Sequence, residues 1–303
     1  MSPPRVCVIV LNWNGLSDTV ECLESLRKLG YPNYSVIVVD NASKGDDVEV
    51  LKERYGDYAH LIKNDRNYGF AEGNNIGIRY ALGNLKPDYY FLLNNDTVVA
   101  PDVLDELVAV GERDDRIGAI GPKIYYYDMN GRKDIIWSAG GVIRWWHPWI
   151  YDGIGCGEED HPRYDELRPV AWVSGAAMML KRQVLDEMSL LNADYFSGNE
   201  DVEYCLKARR HGFEVVYVPT AHVWHKVGRA RPHPTGMTQG LAEGQITGSQ
   251  RKSANMFSDL PPYYHLIKRN FSASFYVYHL FLLPLLAADR LLSLLARLPG
   301  RRS

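Results

Sequence analysis

VCVIVLNWNGLSDTVECLESLRKLGYPNYSVIVVD, residues 6–40, contains the fold in outline. Val6 to Leu11 is a β-branched run broken by Asn12, Asn14 and Gly15, and Leu16 to Leu29 then sets Val20, Leu23 and Leu26 at helical spacing. Val36 to Val39 reads as a second buried strand, ending at Asp40. Strand, loop, helix and strand in that order begin a βαβ unit.

The alternation continues downstream. Asp47 to Tyr55 reads as a helix, Leu61 and Ile62 as a short third strand, and Gly73 to Leu82 as a third helix. Phe91 to Leu93 makes a fourth strand ending in Asn94-Asn95-Asp96, and Pro101 to Gly111 a helix with proline in its first turn. Four strands alternating with helices predict an α/β fold: a doubly wound, mostly parallel sheet with right-handed crossovers.

After Ile117 the rhythm changes, because Tyr125 to Arg168 is rich in Tyr, Trp, Gly and Pro without a helical period. Strands and loops that shape a pocket are expected there. Val173 to Leu180 resumes an apolar run, Lys181 to Met188 reads as a short helix, and Glu200 to His211 as a helix closed by Gly212. Val215 to Val218 is a last strand, before Pro219 and the segment Ala221 to Gly228. The glycines and prolines of Gly228 to Ser253 suit a mobile loop, either a lid or a plain connector. Phe271 to Leu298 is strongly apolar, but Pro284, Asp289 and Arg290 interrupt a spanning helix. It reads as a helix lying on a membrane surface, packed on the protein, or forming a homodimer interface.

The bulk numbers narrow the function. With 303 residues, 46% hydrophobic and 23% charged, the chain supports a substantial core. A net charge of -3, from 34 Lys+Arg and 37 Asp+Glu, argues against nucleic acid as a partner. Cys7, Cys22, Cys156 and Cys205 form no CxxC pair, and Met1 to Arg5 has no signal-peptide pattern, so a cytoplasmic location is expected. No GxGxxG and no GK[ST] loop is present, which counts against a dinucleotide dehydrogenase and against a P-loop NTPase.

Four places in the chain, one of them a pair of residues, remain as candidates for chemistry. Asp40, at a strand end, suits a nucleotide base or ribose, or the capping of its own turn through Asn41 and Ser43. Asp96 in Asn-Asn-Asp suits a hard divalent cation held together with phosphates, or a turn. Glu200 and Asp201 open a helix, where acidic side chains gain roughly 0.3–1 kcal/mol from the dipole, yet two adjacent carboxylates also allow one to act as a base. His225, with His222 nearby, suits a metal ligand or a packed imidazole.

Taken together with their neighbours, these residues resemble an inverting family 2 glycosyltransferase of the GT-A fold, and bacterial rhamnosyltransferase-like members above all. The resemblance is carried by Val8 to Gly15, Val38 to Ser43, Asn67 to Gly77, Leu92 to Thr97, Trp137 to Gly141, Val173 to Ala177, Glu200 to Glu203 and His222 to His225. It implies a catalytic domain over residues 1–235, with a nucleotide-binding half to about 115 and an acceptor half after it, followed by the loop and helical segment 236–303.

It also implies roles. Asp40 would contact the nucleotide base, with Asn12, Asn14 and Asn41 beside it. The loop Gly69 to Gly77, including Phe70 and Asn75, would line the donor pocket with Asn94 and Asn95. Asp96 and His225 would hold Mn²⁺ or Mg²⁺, and Asp201 would be the general base, with Glu200 as its alternate. Asn94 replaces the first aspartate of the family's DxD, and Glu203 stands where many relatives have Asp. The implied reaction moves a sugar from a nucleotide-diphosphate sugar, dTDP-rhamnose by resemblance, to a glycan or lipid-linked oligosaccharide at the inner face of the membrane. Two rival readings are a non-catalytic GT-A scaffold and a sugar-nucleotide pyrophosphorylase. Retention of Asp201 and His225 opposes the first, and the lack of a basic residue in Asn12 to Gly15 opposes the second.

Overall fold

The computed structural model describes residues 2–144 and 151–227, together with Leu266. The stretches read as a glycine-rich loop and an apolar terminal helix lie outside the described residues.

The first half alternates as the sequence predicts: β1 (Val6–Asn12), α1 (Leu16–Leu26), β2 (Tyr34–Asp40), α2 (Asp47–Tyr55), β3 (Ala59–Lys63), α3 (Gly69–Asn84), β4 (Tyr89–Asn94), β5 (Thr97–Val99) and α4 (Val103–Gly111). The second half holds β6 (Ile117–Tyr126), β7 (Ile136–Ser138), β8 (Gly141–Ile143), β9 (Tyr151–Gly153), β10 (Arg168–Pro169), β11 (Ala177–Lys181), α5 (Arg182–Met188), α6 (Glu200–Arg210) and β12 (Glu214–His225). Among the described residues one sheet runs β10-β12-β6-β11-β4-β1-β2-β3, with β5 added to β12 and β7 to β6. β1 pairs in parallel with both β2 and β4, β2 with β3, and β12 with β6, while β11 inserts antiparallel between β4 and β6. Among the described residues no helix is long and apolar enough to cross a membrane.

Alternation along the strands builds two cores. Cys7 and Ile9 of β1 face one side with Ile37, Val39 and Leu92, covered by Ala71, Ile78 and Ala81 of α3 and by α5 and α6. Val6, Val8 and Val10 face the other with Val36, Val38 and Phe91, covered by Leu23 and Leu26 of α1 and Leu104 and Leu107 of α4. Strands buried on both faces read as continuous apolar runs, which is why β1, β2 and β4 were legible in the sequence.

α3 reaches the sheet through glycine. A Cβ on Gly77 would come within 2.6 Å of Ile9 Cγ2, and one on Gly73 within 2.6 Å of a Leu11 methyl. Gly69 sits at φ +80°, where a Cβ would meet the Phe196 carbonyl at 2.4 Å. The stretch expected as a donor-lining loop is therefore the start of a helix, with Gly69, Ala71, Gly73, Asn74, Asn75 and Gly77 buried.

One strand was not foreseen, and two other expectations are corrected. β6 is a ten-residue strand buried throughout, hidden in the sequence by Gly118, Gly121 and Pro122. Gly121 is needed because a Cβ there would lie 2.5 Å from Val173. The last strand does not stop at Val218. β12 continues to His225 past an irregularity between Val218 and His222, where Pro219 can lack an N–H without breaking a ladder bond. Finally, α4 begins at Val103, with Pro101 in the turn ahead of it rather than in its first turn.

Candidate active site

The register of the sheet levels its carboxyl ends. Asn12 lies opposite Asp40, and Leu11 opposite Asn94, so β1, β2 and β4 all stop at one edge. In an open α/β sheet that edge is where ligands bind.

Asp40 is 2% exposed and its carboxylate orders the edge. Oδ1 accepts the Ser43 backbone N–H at 2.9 Å, and Oδ2 accepts Asn12 Nδ2 at 2.8 Å. Asn12 Nδ2 also reaches Asp47 Oδ2 and Ser43 Oγ, each at 3.1 Å, and its Oδ1 accepts Thr19 Oγ1 at 2.7 Å. Asn14, at φ +52°, accepts the Lys44 N–H through its side chain and donates its own N–H to Ser43 Oγ. Asn41 donates to the Gly69 carbonyl at 2.9 Å and accepts Asn64 Nδ2 at 2.8 Å. The turn-capping work foreseen for Asp40 is thus present, and a carboxylate with two lone-pair sites still unspent keeps capacity for a ligand.

Asp96 and His225 lie 129 positions apart in sequence and meet at this edge. β5 and the end of β12 pair antiparallel with His225 opposite Thr97, which carries the imidazole onto the Asp96 carboxylate. Nε2 of His225 is 3.0 Å from Asp96 Oδ1, and Asn94 Nδ2 stands 3.4 Å from the same nitrogen. Both residues are nearly buried, at 5% and 6% exposure. Burial pushes the Asp96 carboxyl up, but the bond and charge of His225, a backbone hydrogen bond and the charge of Lys226 together hold the group below its ordinary value. The ring stands edge-on to Trp137 at 4.6 Å, and its Nδ1 is buried with no hydrogen-bond partner.

The donor set fits a hard cation. Adjacent ligands of an octahedral ion bound at about 2.1 Å lie about 3.0 Å apart, which is the Asp96–His225 separation. Among the described residues no cluster of three or more His, Cys, Asp or Glu gathers, so a cation held by this pair would take its remaining ligands from substrate or water oxygens.

Asp201 opens α6 on the neighbouring side of the edge. Its Oδ2 accepts the Gly175 N–H and its Oδ1 the Val202 N–H, both at 2.7 Å. Burial raises this carboxyl above its ordinary value, against the pull of those backbone donors. Glu200 beside it is 6% exposed. The Ala176 carbonyl, next to Gly175, accepts the Asn94 N–H at 2.9 Å. One run of hydrogen bonds and adjacent residues therefore connects Asp201, Asn94, His225 and Asp96.

Other predicted residues serve the frame. Asn95 donates to Thr19 Oγ1 at 2.9 Å and to Asn12 Oδ1 at 3.3 Å, joining the β4 end to the β1 end. Asn75 does not turn its amide to a donor pocket: it is 2% exposed, donates to the Leu191 carbonyl at 2.8 Å and accepts the Leu191 N–H at 3.0 Å. Phe70 donates its N–H to Phe196, and its ring lies with Asp201 Cβ around Gly175. Glu203 accepts Asn192 Nδ2 at 3.0 Å, which fastens the approach to α6.

Sequence reading missed Lys226. Its ammonium is buried between Asp18 Oδ1 at 2.6 Å and Glu21 Oε2 at 2.5 Å on α1, and these partners raise its pKa against the opposing cost of burial. Its backbone N–H donates to the Asp96 carbonyl. The triad therefore ties the end of β12 to α1 directly behind the Asp96–His225 pair. The i, i+3 carboxylates of α1 were the only local signal, and their partner stands 208 positions away in sequence. Gly175 was missed as well, since a backbone donor leaves no mark in composition.

Known proteins share this architecture. The family model described as glycosyltransferase like family 2 matches residues 3–239. A low-salt glycan biosynthesis hexosyltransferase of Haloferax volcanii is 27% identical over 69% of this chain and 62% of its own length. An N-acetylglucosaminyl-diphospho-decaprenol L-rhamnosyltransferase of Mycobacterium tuberculosis is 26% identical over 67% of this chain and 68% of its own. An uncharacterised protein of Sinorhizobium fredii is 29% identical over 76% of this chain, which spans 25% of that protein. A crystal structure of GalNAc-T7 with UDP, GalNAc and Mn²⁺ matches with a TM-score of 0.60 at 20% identity, over 73% of this chain and 44% of that one, a likeness of fold.

Proposed function

The chain belongs to the family 2 glycosyltransferases, and from that premise we propose that it transfers a hexose from a nucleotide-diphosphate sugar to a hydroxyl of a glycan or lipid-linked acceptor, with inversion. The observation that carries the reading is the buried Asp96–His225 pair, 3.0 Å apart at the carboxyl edge of the sheet, with the raised carboxyl of Asp201 beside it. The relatives' printed activities on sugars and lipid-linked sugars support the same substrate classes, and Mn²⁺ in the GalNAc-T7 complex supports a divalent cation.

In this reading Asp40 and its Asn12 and Asn41 neighbours hold the nucleoside at the ends of β1 and β2. Asp96 and His225 would hold Mn²⁺ or Mg²⁺, whose charge, when bound, offsets the negative charge that develops on the leaving diphosphate. Asp201 accepts the proton of the acceptor hydroxyl while that oxygen attacks the anomeric carbon from the face opposite the leaving group. The bond to the nucleoside diphosphate breaks, and the configuration inverts in one displacement. A buried carboxyl titrating above its ordinary range is a stronger base than an exposed one once ionised, which suits it to this step.

A thermal-shift panel of nucleotide-diphosphate sugars, dTDP-rhamnose included, with and without Mn²⁺, tests the donor class. A ligand that binds the native state alone raises its stability by RT ln(1 + [L]/Kd). A rise with one donor that grows with Mn²⁺ is expected. No rise with any donor would overturn the transferase reading.

A further inference from the structure

His225 is the last residue of β12, and the end of a strand is a poor place from which to hold an imidazole 3.0 Å from Asp96. Element ends fray unless further bonds tie them down. Here the bonds are supplied. The His225 carbonyl accepts the Tyr127 N–H at 2.9 Å, and the next N–H of the chain, that of Lys226, donates to the Asp96 carbonyl at 2.9 Å. The side chains of these two donors then run to one residue of α1, Tyr127 Oη to Glu21 Oε1 and Lys226 Nζ to Glu21 Oε2, each at 2.5 Å. Asp18 takes Lys226 as well, at 2.6 Å.

The other half of the pair is tied to the same turn. Asn95, adjacent to Asp96, donates to Thr19 Oγ1 at 2.9 Å, and Thr19 stands between Asp18 and Glu21. Asp96 and His225 therefore each have a chain neighbour anchored on the stretch from Asp18 to Glu21. Thr19 also donates to Asn12 Oδ1 at 2.7 Å, which carries the anchorage on to the nucleotide end of the edge.

We propose that this turn of α1 is a common mount for the cation site, and that Lys226, clamped between Asp18 and Glu21, is a positioning residue that sets the affinity of the Asp96–His225 pair for its divalent cation. The role rests on the reading of that pair as the cation ligands of a transferase. By charge alone Lys226 would act the other way. Its positive charge helps to hold the Asp96 carboxyl below its ordinary value, so as a bare charge it also repels a cation bound there. Removing the charge would then tighten cation binding, removing the mount weakens it, and a part in folding alone leaves the affinity of the folded protein unchanged.

Mn²⁺ binding to the full chain, followed by electron paramagnetic resonance, tests this, with the metal alone and with UDP or dTDP present and corrected for Mn²⁺ held by the nucleotide itself. K226M is expected to weaken binding by about 10–100-fold, the usual effect of removing a residue that orients metal ligands, and K226R to restore most of it. Y127F keeps every charge and removes one bond of a partly exposed side chain, so it keeps the test valid even where K226M unfolds, and it too is expected to weaken binding. Equal or tighter binding in folded K226M, or in Y127F where K226M is unfolded, overturns the role of Lys226. Wild-type protein that binds no Mn²⁺ overturns the cation site itself, so the two failures are told apart.

Discussion

Substituting Asp201 by Asn separates the base from the scaffold. The side chain keeps its shape, but its amide can accept only one of the two backbone N–H groups, Gly175 or Val202, that now bond at 2.7 Å. The lost bond costs about 1.5–3 kcal/mol, as a bond to a charged group. In the other direction, burial raises the folded carboxyl above its unfolded value. Such a group binds its proton more tightly when folded, so its stabilising effect is lost as pH rises from the unfolded toward the folded pKa, and at neutral pH its charge opposes folding. Asn removes that opposition. The two effects offset, and D201N should melt within a few degrees of the wild type. Transfer should fall by about 10²–10⁴-fold, the range of general-base catalysis. Nucleoside diphosphate release under saturating donor measures the rate, and scanning calorimetry the stability. Wild-type transfer in a folded D201N would refute the assignment and shift the role to Glu200. The wild-type rate should also fall on the acid side at a pH above the ordinary carboxylate range.

Other perturbations address the frame. Lys226→Met leaves the buried carboxylate of Asp18 unpaired while Glu21, half exposed, turns to water. A loss of about 3 kcal/mol in denaturant unfolding is expected, toward the lower end for a buried pair. Gly77→Ala drives a methyl to 2.6 Å from Ile9 and should cost about 1–2 kcal/mol, the gain in helix propensity included. Gly83→Ala on the same helix meets nothing within 4 Å and should stabilise by about 0.5–1 kcal/mol. The opposite signs of that pair, read by thermal melts, check the packing of α3 on the sheet.

The fold was legible where burial imposed a pattern. β1, β2 and β4 are buried on both faces, and their runs of Val, Ile and Leu could be read without the structure. β6 was missed because its glycines, needed for the approach of Val173 and Val184, dilute the apolar run. The end of β12 was missed because Pro219 ends most strands, and only a register shift lets this one pass. Asp96, Asp201 and His225 were legible as candidates for chemistry because they stand at element ends in a recognisable order. What the sequence did not disclose was dependence: Asn12, Asn41, Asn75 and Asn95 are spent on neighbouring side chains and on backbone, and the grip of Lys226 on α1 joins residues 208 positions apart.

The central claim, that donor phosphates and cation meet at the Asp96–His225 pair, is tested most directly by titrating Mn²⁺ with a nucleoside diphosphate into wild-type protein and His225→Ala. The account predicts cation-dependent nucleotide binding in the wild type and loss of the cation-dependent part in the variant. Identical titrations for the two proteins would contradict it.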